Sequence, residues 1–163
     1  MANKPHKPVY LTRARYEELG KELAKLETVE RAKLVEELRS SPPSGMGRSV
    51  MDPAREKQAF LEGRILELRA ILASAHIIEE QLPEGPIEEI LVGTTVTLYD
   101  LKEGSTIQYS LVGSEEIDIS RGRISYLSPV GQALLGHRVG EIVRVVTLSG
   151  DVEYRIDEIT ALQ

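Results

Sequence analysis

The chain has 163 residues, 41% of them hydrophobic, and no cysteine, which allows a buried core in one or two small domains and excludes disulfide frameworks and thiolate zinc sites. No apolar run reaches the length needed to cross a bilayer, and the opening MANKPHKPVY lacks the apolar stretch of a secretory leader, so a cytoplasmic protein with no membrane role is expected. The net charge of −6 divides unevenly: residues 1–80 hold 14 Lys/Arg against 13 Asp/Glu (+1) and residues 81–163 hold 6 against 13 (−7), which excludes broad backbone-driven nucleic-acid binding by the second half.

Residues 11 to 79 read as two helices. In the first, Thr12 is placed to cap, and Tyr16, Leu19, Leu23 and Leu26 follow at alternating steps of three and four, a narrow coiled-coil seam. Beyond Leu26 the stripe becomes irregular through Val29, Leu34, Val35 and Leu38, and a shift of packing register is expected there. The second helix opens at MDPARE, with Asp52 as cap and Pro53 in the first turn, and its seam is Leu61, Ile65, Leu68, Leu72 and Ala75. Two such seams close on each other as an antiparallel coiled-coil hairpin over residues 1–80. At about 1.5 Å per residue, helices of this length give an arm on the order of 40 Å long.

Between the helices lies SSPPSGMGRSVMD. Pro42 and Pro43 stop the first helix, Gly45 and Gly47 loosen the turn, and Asp52-Pro53 begins the return. Local sequence alone supports a flexible connector; a functional tip, built from Ser44, Gly45, Met46, Gly47, Arg48 and Asp52, is the second reading.

The stretch QLPEGPIEE, with a linker at 81–86, leads into a change of period. VGTTVTLYDL and STIQYSLVG are strand-like, and EIVRVVTLSGDVEYRIDEI is a hairpin turning at Ser149-Gly150-Asp151. In between, Ser128 caps a short helix with Pro129 in its first turn, an apolar face of Ala133, Leu134 and Leu135, and Gly136 as the stop. Residues 87–163 are therefore expected to form a compact domain on a small sheet, and the chain is α+β.

Catalytic and metal-binding patterns are missing. His6, His76 and His137 show no HxxxH or paired-acid spacing, no GxSxG, Walker loop or GxGxxG occurs, and GMGRS lacks the strand and lysine of a phosphate loop. No catalytic residue, metal ligand or cofactor is assigned.

The blocks AREKQAFLEGRI, LASAHII and SPVGQALLGHRVGEIV, together with the opening LT, make the chain similar to the GreA/GreB family of bacterial transcript-cleavage factors from about Leu11 to Ile159. The resemblance implies an N-terminal coiled coil and an FKBP-like C-terminal domain. It implies docking of that domain at the rim of the RNA polymerase secondary channel, with Ser128, Pro129, Gly131 and Gly136 at the contact, where a helix N-terminus offers free amides. The arm then enters the channel, nucleic acid is met only within the polymerase complex, and a monomer is the expected working form. In cleavage-active relatives the tip supplies carboxylates that help hold a second Mg²⁺, an ion of the polymerase centre.

Here the tip departs from the family. Counting back without gaps from EGRI places Ser44 and Gly47 where the two acids of a GDLxEN-like stretch fall, and neither offers a carboxylate to a hard divalent cation. The remaining acids are Glu36, Glu37 and Asp52. The chain thus resembles the cleavage-deficient Gre homologues: a regulator that occupies the channel, with Arg39, Arg48 and Arg55 either meeting phosphates or simply solvated. An active GreA-like factor using Asp52 is the alternative. A prolyl isomerase is a third reading, disfavoured by one Phe and no Trp.

Overall fold

The computed structural model describes residues 8–40 and 53–162. The chain folds as two units: Ala14–Ala75, and a second unit that joins the described residues up to Arg13 to those from His76 onward.

In the helical unit, α1 (Arg13–Lys25) continues through a π-helical turn (Leu26–Glu30) into α2 (Arg31–Ser40), and α3 (Pro53–Ala73) packs against the π turn and α2. The π turn falls where the apolar stripe breaks. Leu34 stands eight residues beyond Leu26, one more than the seven of a heptad, and the wider turn absorbs the additional residue so that Leu34 returns to the buried side. Within it the Thr28 hydroxyl donates to the Ala24 carbonyl at 2.7 Å, an i−4 back-bond that disturbs a regular helical ladder.

The two helical segments run in opposite directions, since Glu27 pairs with Arg69 while Glu37, further along, pairs with Lys57. Arg31 forks onto Glu62 at 3.0 and 2.9 Å, and Arg64 onto Glu22 at 2.9 and 3.2 Å. Partly exposed pairs of this kind contribute about 0–1 kcal/mol each, but bidentate geometry sets register. The apolar centre is small: Leu19, Ile65 and Leu68 are fully buried, Leu34 nearly so, and Leu23, Leu26, Leu61 and Leu72 half-buried. Tyr16, expected in the seam, stays 38% exposed.

The second unit holds β1 (Val9–Leu11) paired with β2 (Ala75–Ile77), and a single helical turn, α4 (Ile78–Gln81). After it come β3 (Thr94–Asp100), β4 (Thr106–Val112), β5 (Arg123–Ser125), α5 (Pro129–Leu134), β6 (Ile142–Thr147) and β7 (Gly150–Ala161). The five long-sheet strands lie in the order β5-β4-β3-β7-β6, antiparallel except for β4 and β5. Period-two alternation decides the faces: Thr94, Val96 and Leu98 are buried, while Thr95, Thr97 and Tyr99 between them are partly exposed. Val96 and Leu98 join Ile90, Leu111, Leu134, Val143, Val145, Ile156 and Ile159 in one core with α5.

Several expectations are corrected here. Residues 8–13 and 76–80, read as tail and arm, lie with the sheet unit; α3 ends at Ala73, so Ala75 and His76 are strand and not helix. The hairpin turns one residue early, at Leu148-Ser149, with Thr147 facing Gly150. Thr12 precedes α1 as expected, yet its N–H and hydroxyl both donate to the Glu116 carboxylate at 2.8 and 2.5 Å, and the Arg13 N–H donates to Glu79 at 2.9 Å.

The thin core of the helical unit makes it sensitive to one buried charge. Leu68→Asp is expected to destabilise that unit by about 3–5 kcal/mol, the range for an uncompensated buried charge. A clear loss of helical circular dichroism at 222 nm checks this; an unchanged spectrum and melting curve would contradict the packing described.

Candidate functional site

The four residues singled out in the C-terminal domain fall on one short segment between β5 and β6. Ser125, the last residue of β5, organises it: its carbonyl accepts from the Ser128 hydroxyl at 2.6 Å and the Ser128 N–H at 3.0 Å, and its hydroxyl accepts from the Leu127 N–H at 3.1 Å. Ser128 Oγ in turn accepts from the Gly131 N–H at 3.1 Å, a capping bond, with Pro129 behind it in the first turn of α5. Gly131 is required by space: a Cβ there would stand 2.4 Å from the Ser125 carbonyl oxygen. Gly136 is required by backbone, at φ +81°, and its N–H donates to the Ile90 carbonyl at 2.9 Å.

Ser128 and Gly131 are thus held inside the turn and shape it, while Pro129 and Gly136 are exposed. Of the amides at the start of α5, the Gly131 N–H is taken by Ser128 Oγ, and the Gln132 N–H makes the first intrahelical bond to the Ser128 carbonyl at 2.8 Å. What the turn presents outward is apolar. Leu127 is 45% exposed next to Pro129, and Val139 is 52% exposed on the far side of the segment. Neither was singled out from sequence, although a leucine in a turn between a strand and a Ser-Pro cap is a signal in itself, since such turns are ordinarily polar.

Beyond α5, His137 Nδ1 and the Arg138 N–H both meet one carboxylate oxygen of Glu141, at 2.6 and 3.2 Å. The His137 hydrogen bond, followed by the Arg138 N–H, holds the Glu141 carboxyl below the usual carboxylate range. On the inner side, Tyr126 lies edge-on to Tyr10 at 5.1 Å between ring centres. Burial pushes the Tyr126 hydroxyl upward.

On the helical unit the expected tip residues Ser44, Gly45, Met46, Gly47, Arg48 and Asp52 lie outside the described residues. Of the acids flanking them, Glu37 faces Lys57 at 3.5 Å. A groove of about 680 Å³ runs along the helices between Leu26, Leu34, Phe60 and Leu61, with Phe60 80% exposed at its edge. Among the described residues no group of three or more His, Cys, Asp or Glu is placed to hold a metal ion.

Two family models match the chain: "Transcription elongation factor, N-terminal" over residues 9–77 and "Transcription elongation factor, GreA/GreB, C-term" over residues 85–161. A transcription elongation factor GreA of Pelobacter propionicus is 39% identical over 151 residues, covering 91% of this chain and 94% of that protein. The GreA of Thermoanaerobacter pseudethanolicus is 38% identical over 155 residues, covering 94% and 98%. Among solved structures, GreA factor homolog 1 of Thermus thermophilus is 34% identical and covers 95% of this chain and all of that one, with a TM-score of 0.42. The matches to both halves, and relatives of this identity over nearly the whole length, place the chain in the GreA/GreB family of transcription elongation factors.

Proposed function

We propose that the chain is a secondary-channel regulator of bacterial RNA polymerase that keeps the family's reach and lacks its cleavage chemistry. The sheet unit docks at the channel rim through the Leu127–Pro129 turn, and the helical unit acts as an antiparallel coiled-coil arm that enters the channel and alters transcription by occupying it. It works in the cytoplasm as a monomer on the polymerase, meets nucleic acid only there, and has no cofactor or active site of its own. The single observation that carries this reading is the identity of the tip: Ser44 and Gly47 stand where the family's acids belong.

The chemistry follows from that pair. A second Mg²⁺ in a two-metal hydrolysis is held by oxygen ligands that also neutralise its charge, and it clamps both the attacking and the leaving oxygen. A hydroxyl and a bare backbone position supply neither the charge nor the geometry, and positioning is what such a tip contributes. Opposed helices, forked Arg–Glu pairs and a narrow seam support the arm. An exposed Leu127 beside the rigid ring of Pro129, on a turn tied down by Ser125 and Ser128, supports the docking surface: ordered apolar groups cost little entropy on binding.

Two experiments address the two halves. Leu127→Ser combined with Pro129→Ala is expected to weaken binding to RNA polymerase tenfold or more without changing the melting temperature. Ser128→Ala, by contrast, removes a cap and is expected to cost about 0.5–2 kcal/mol of stability. Unchanged polymerase affinity of the folded double variant would refute the docking surface. For the tip, purified protein added to a backtracked elongation complex is expected to stimulate little or no RNA cleavage. Robust cleavage abolished by Asp52→Asn would establish the active, GreA-like alternative instead.

A further inference from the structure

A single residue separates each end of the helical pair from a strand of the small ribbon. Thr12 stands between β1 and α1, and Ser74 between α3 and β2, so the paired strands β1 and β2 are the root of both helices. Strand β1 is closely seated in the sheet unit. Leu11 has no exposed surface, and a Cβ on Gly113 would stand 2.2 Å from the Tyr10 carbonyl oxygen, closer than any side chain permits. The half-buried Tyr10 ring lies edge-on to Tyr126 at 5.1 Å and meets the His76 ring of β2 at 5.8 Å, tilted by 38°. Tyr126 directly precedes Leu127 in the turn proposed to dock. Its N–H donates to the Val112 carbonyl at 3.0 Å, its carbonyl accepts from the Gln132 side-chain amide at 2.9 Å, and its hydroxyl donates to the Pro8 carbonyl at 3.4 Å. One residue of the turn is thus exposed while its neighbour is fixed against the strand that leads into α1.

We propose that Tyr10 is a positioning residue that makes the docking turn and the root of the arm one packed body, an inference that rests on the channel reading above. Coupling between two places in a protein is carried by contiguous packed groups, and here the series is short: the turn through Tyr126, Tyr10 on β1, and His76 on β2. Aromatic rings suit the task, because an edge-to-face pair has a preferred geometry that two aliphatic side chains lack. The pair also borders open space. A cleft of about 330 Å³ is lined by both tyrosines with Gln81, Leu91, Val92 and Leu135, so the contact across it depends on ring against ring and not on a filled core. Polymerase held at Leu127 and Pro129 then holds β1 and β2 as well, and with them the start of α1 and the end of α3. The expected signature is a split between binding and effect: without the ring the turn still binds, but the root of the arm is loose and the channel is obstructed for less of the time.

Two variants of the full chain test this: Tyr10→Leu keeps apolar bulk and removes the ring, and Tyr10→Phe keeps the ring. In the free protein, hydrogen exchange of the β1 and β2 amides is expected to quicken about tenfold or more in Tyr10→Leu, with the amides of β3 and β7 unchanged, and to stay at the wild-type rate in Tyr10→Phe. With RNA polymerase, Tyr10→Leu is expected to bind within about threefold of the wild-type affinity while its slowing of nucleotide addition at saturating protein falls by about threefold or more, and Tyr10→Phe retains both. Exchange rates that Tyr10→Leu leaves unchanged would overturn the packing role itself, independently of the polymerase. Obstruction that survives Tyr10→Leu at full strength, or a loss of affinity that accounts for the whole loss of effect, would overturn the positioning role and leave the channel reading standing. A wild-type protein that binds polymerase without slowing nucleotide addition would sink the channel reading and the inference with it.

Discussion

The burial of Leu134 is the constraint on which the C-terminal half depends. It sits without exposed surface in the same core as Val143, Val145 and Ile156, and it clamps a helix of six residues, too short to be stable alone, against the sheet. The clamp works because Gly131, one turn earlier, lets the helix backbone approach the Ser125 carbonyl more closely than any side chain would permit. The exposure of the turn follows: Ser128 is consumed in holding the geometry, and Leu127 and Pro129 are what remain outside.

The helical unit rests on a different balance. Its fully buried apolar side chains are few, and its helices are tied across by forked Arg–Glu pairs that contribute more to register than to stability. Such a construction suits the proposed arm, which would have to span a distance. A hairpin has no second layer to cover it, so polar side chains must serve both as contact and as solvent-facing surface. The π turn belongs to the same logic, since it repairs a seam that its spacing would otherwise carry away from the partner helix.

Much of this was readable in the residues, and the exceptions have physical causes. Ser128, Pro129 and Gly136 announce a helix start and stop because capping and positive φ are local requirements. The break beyond Leu26 announced a change of register because periodicity is also local, although spacing alone does not reveal that the repair is a π turn. By contrast, β1 and β2 are three residues each, too short to display a period, and they are held by tertiary pairing rather than propensity. Thr12 was recognisable as the residue before a helix, while its carboxylate partner lies 104 positions away at Glu116, a contact that no local pattern encodes. At the start of α5 the serine cap is legible as a cap, while its consequence, that it uses up the Gly131 donor, is a matter of the folded turn. Leu127 is legible as an unusual apolar residue ahead of a Ser-Pro cap, but its exposure belongs to the folded surface.

The central claim, occupation of the polymerase channel without cleavage chemistry, separates most directly in a competition measurement. Increasing amounts of this protein are added to a backtracked elongation complex that an active GreA is cleaving, and the cleavage rate is followed. The account predicts that the rate falls with concentration toward that of polymerase alone, because two factors cannot share one channel and this one brings no acids to Ser44 and Gly47. A rate that is unchanged at saturating protein, or one that rises, would contradict it.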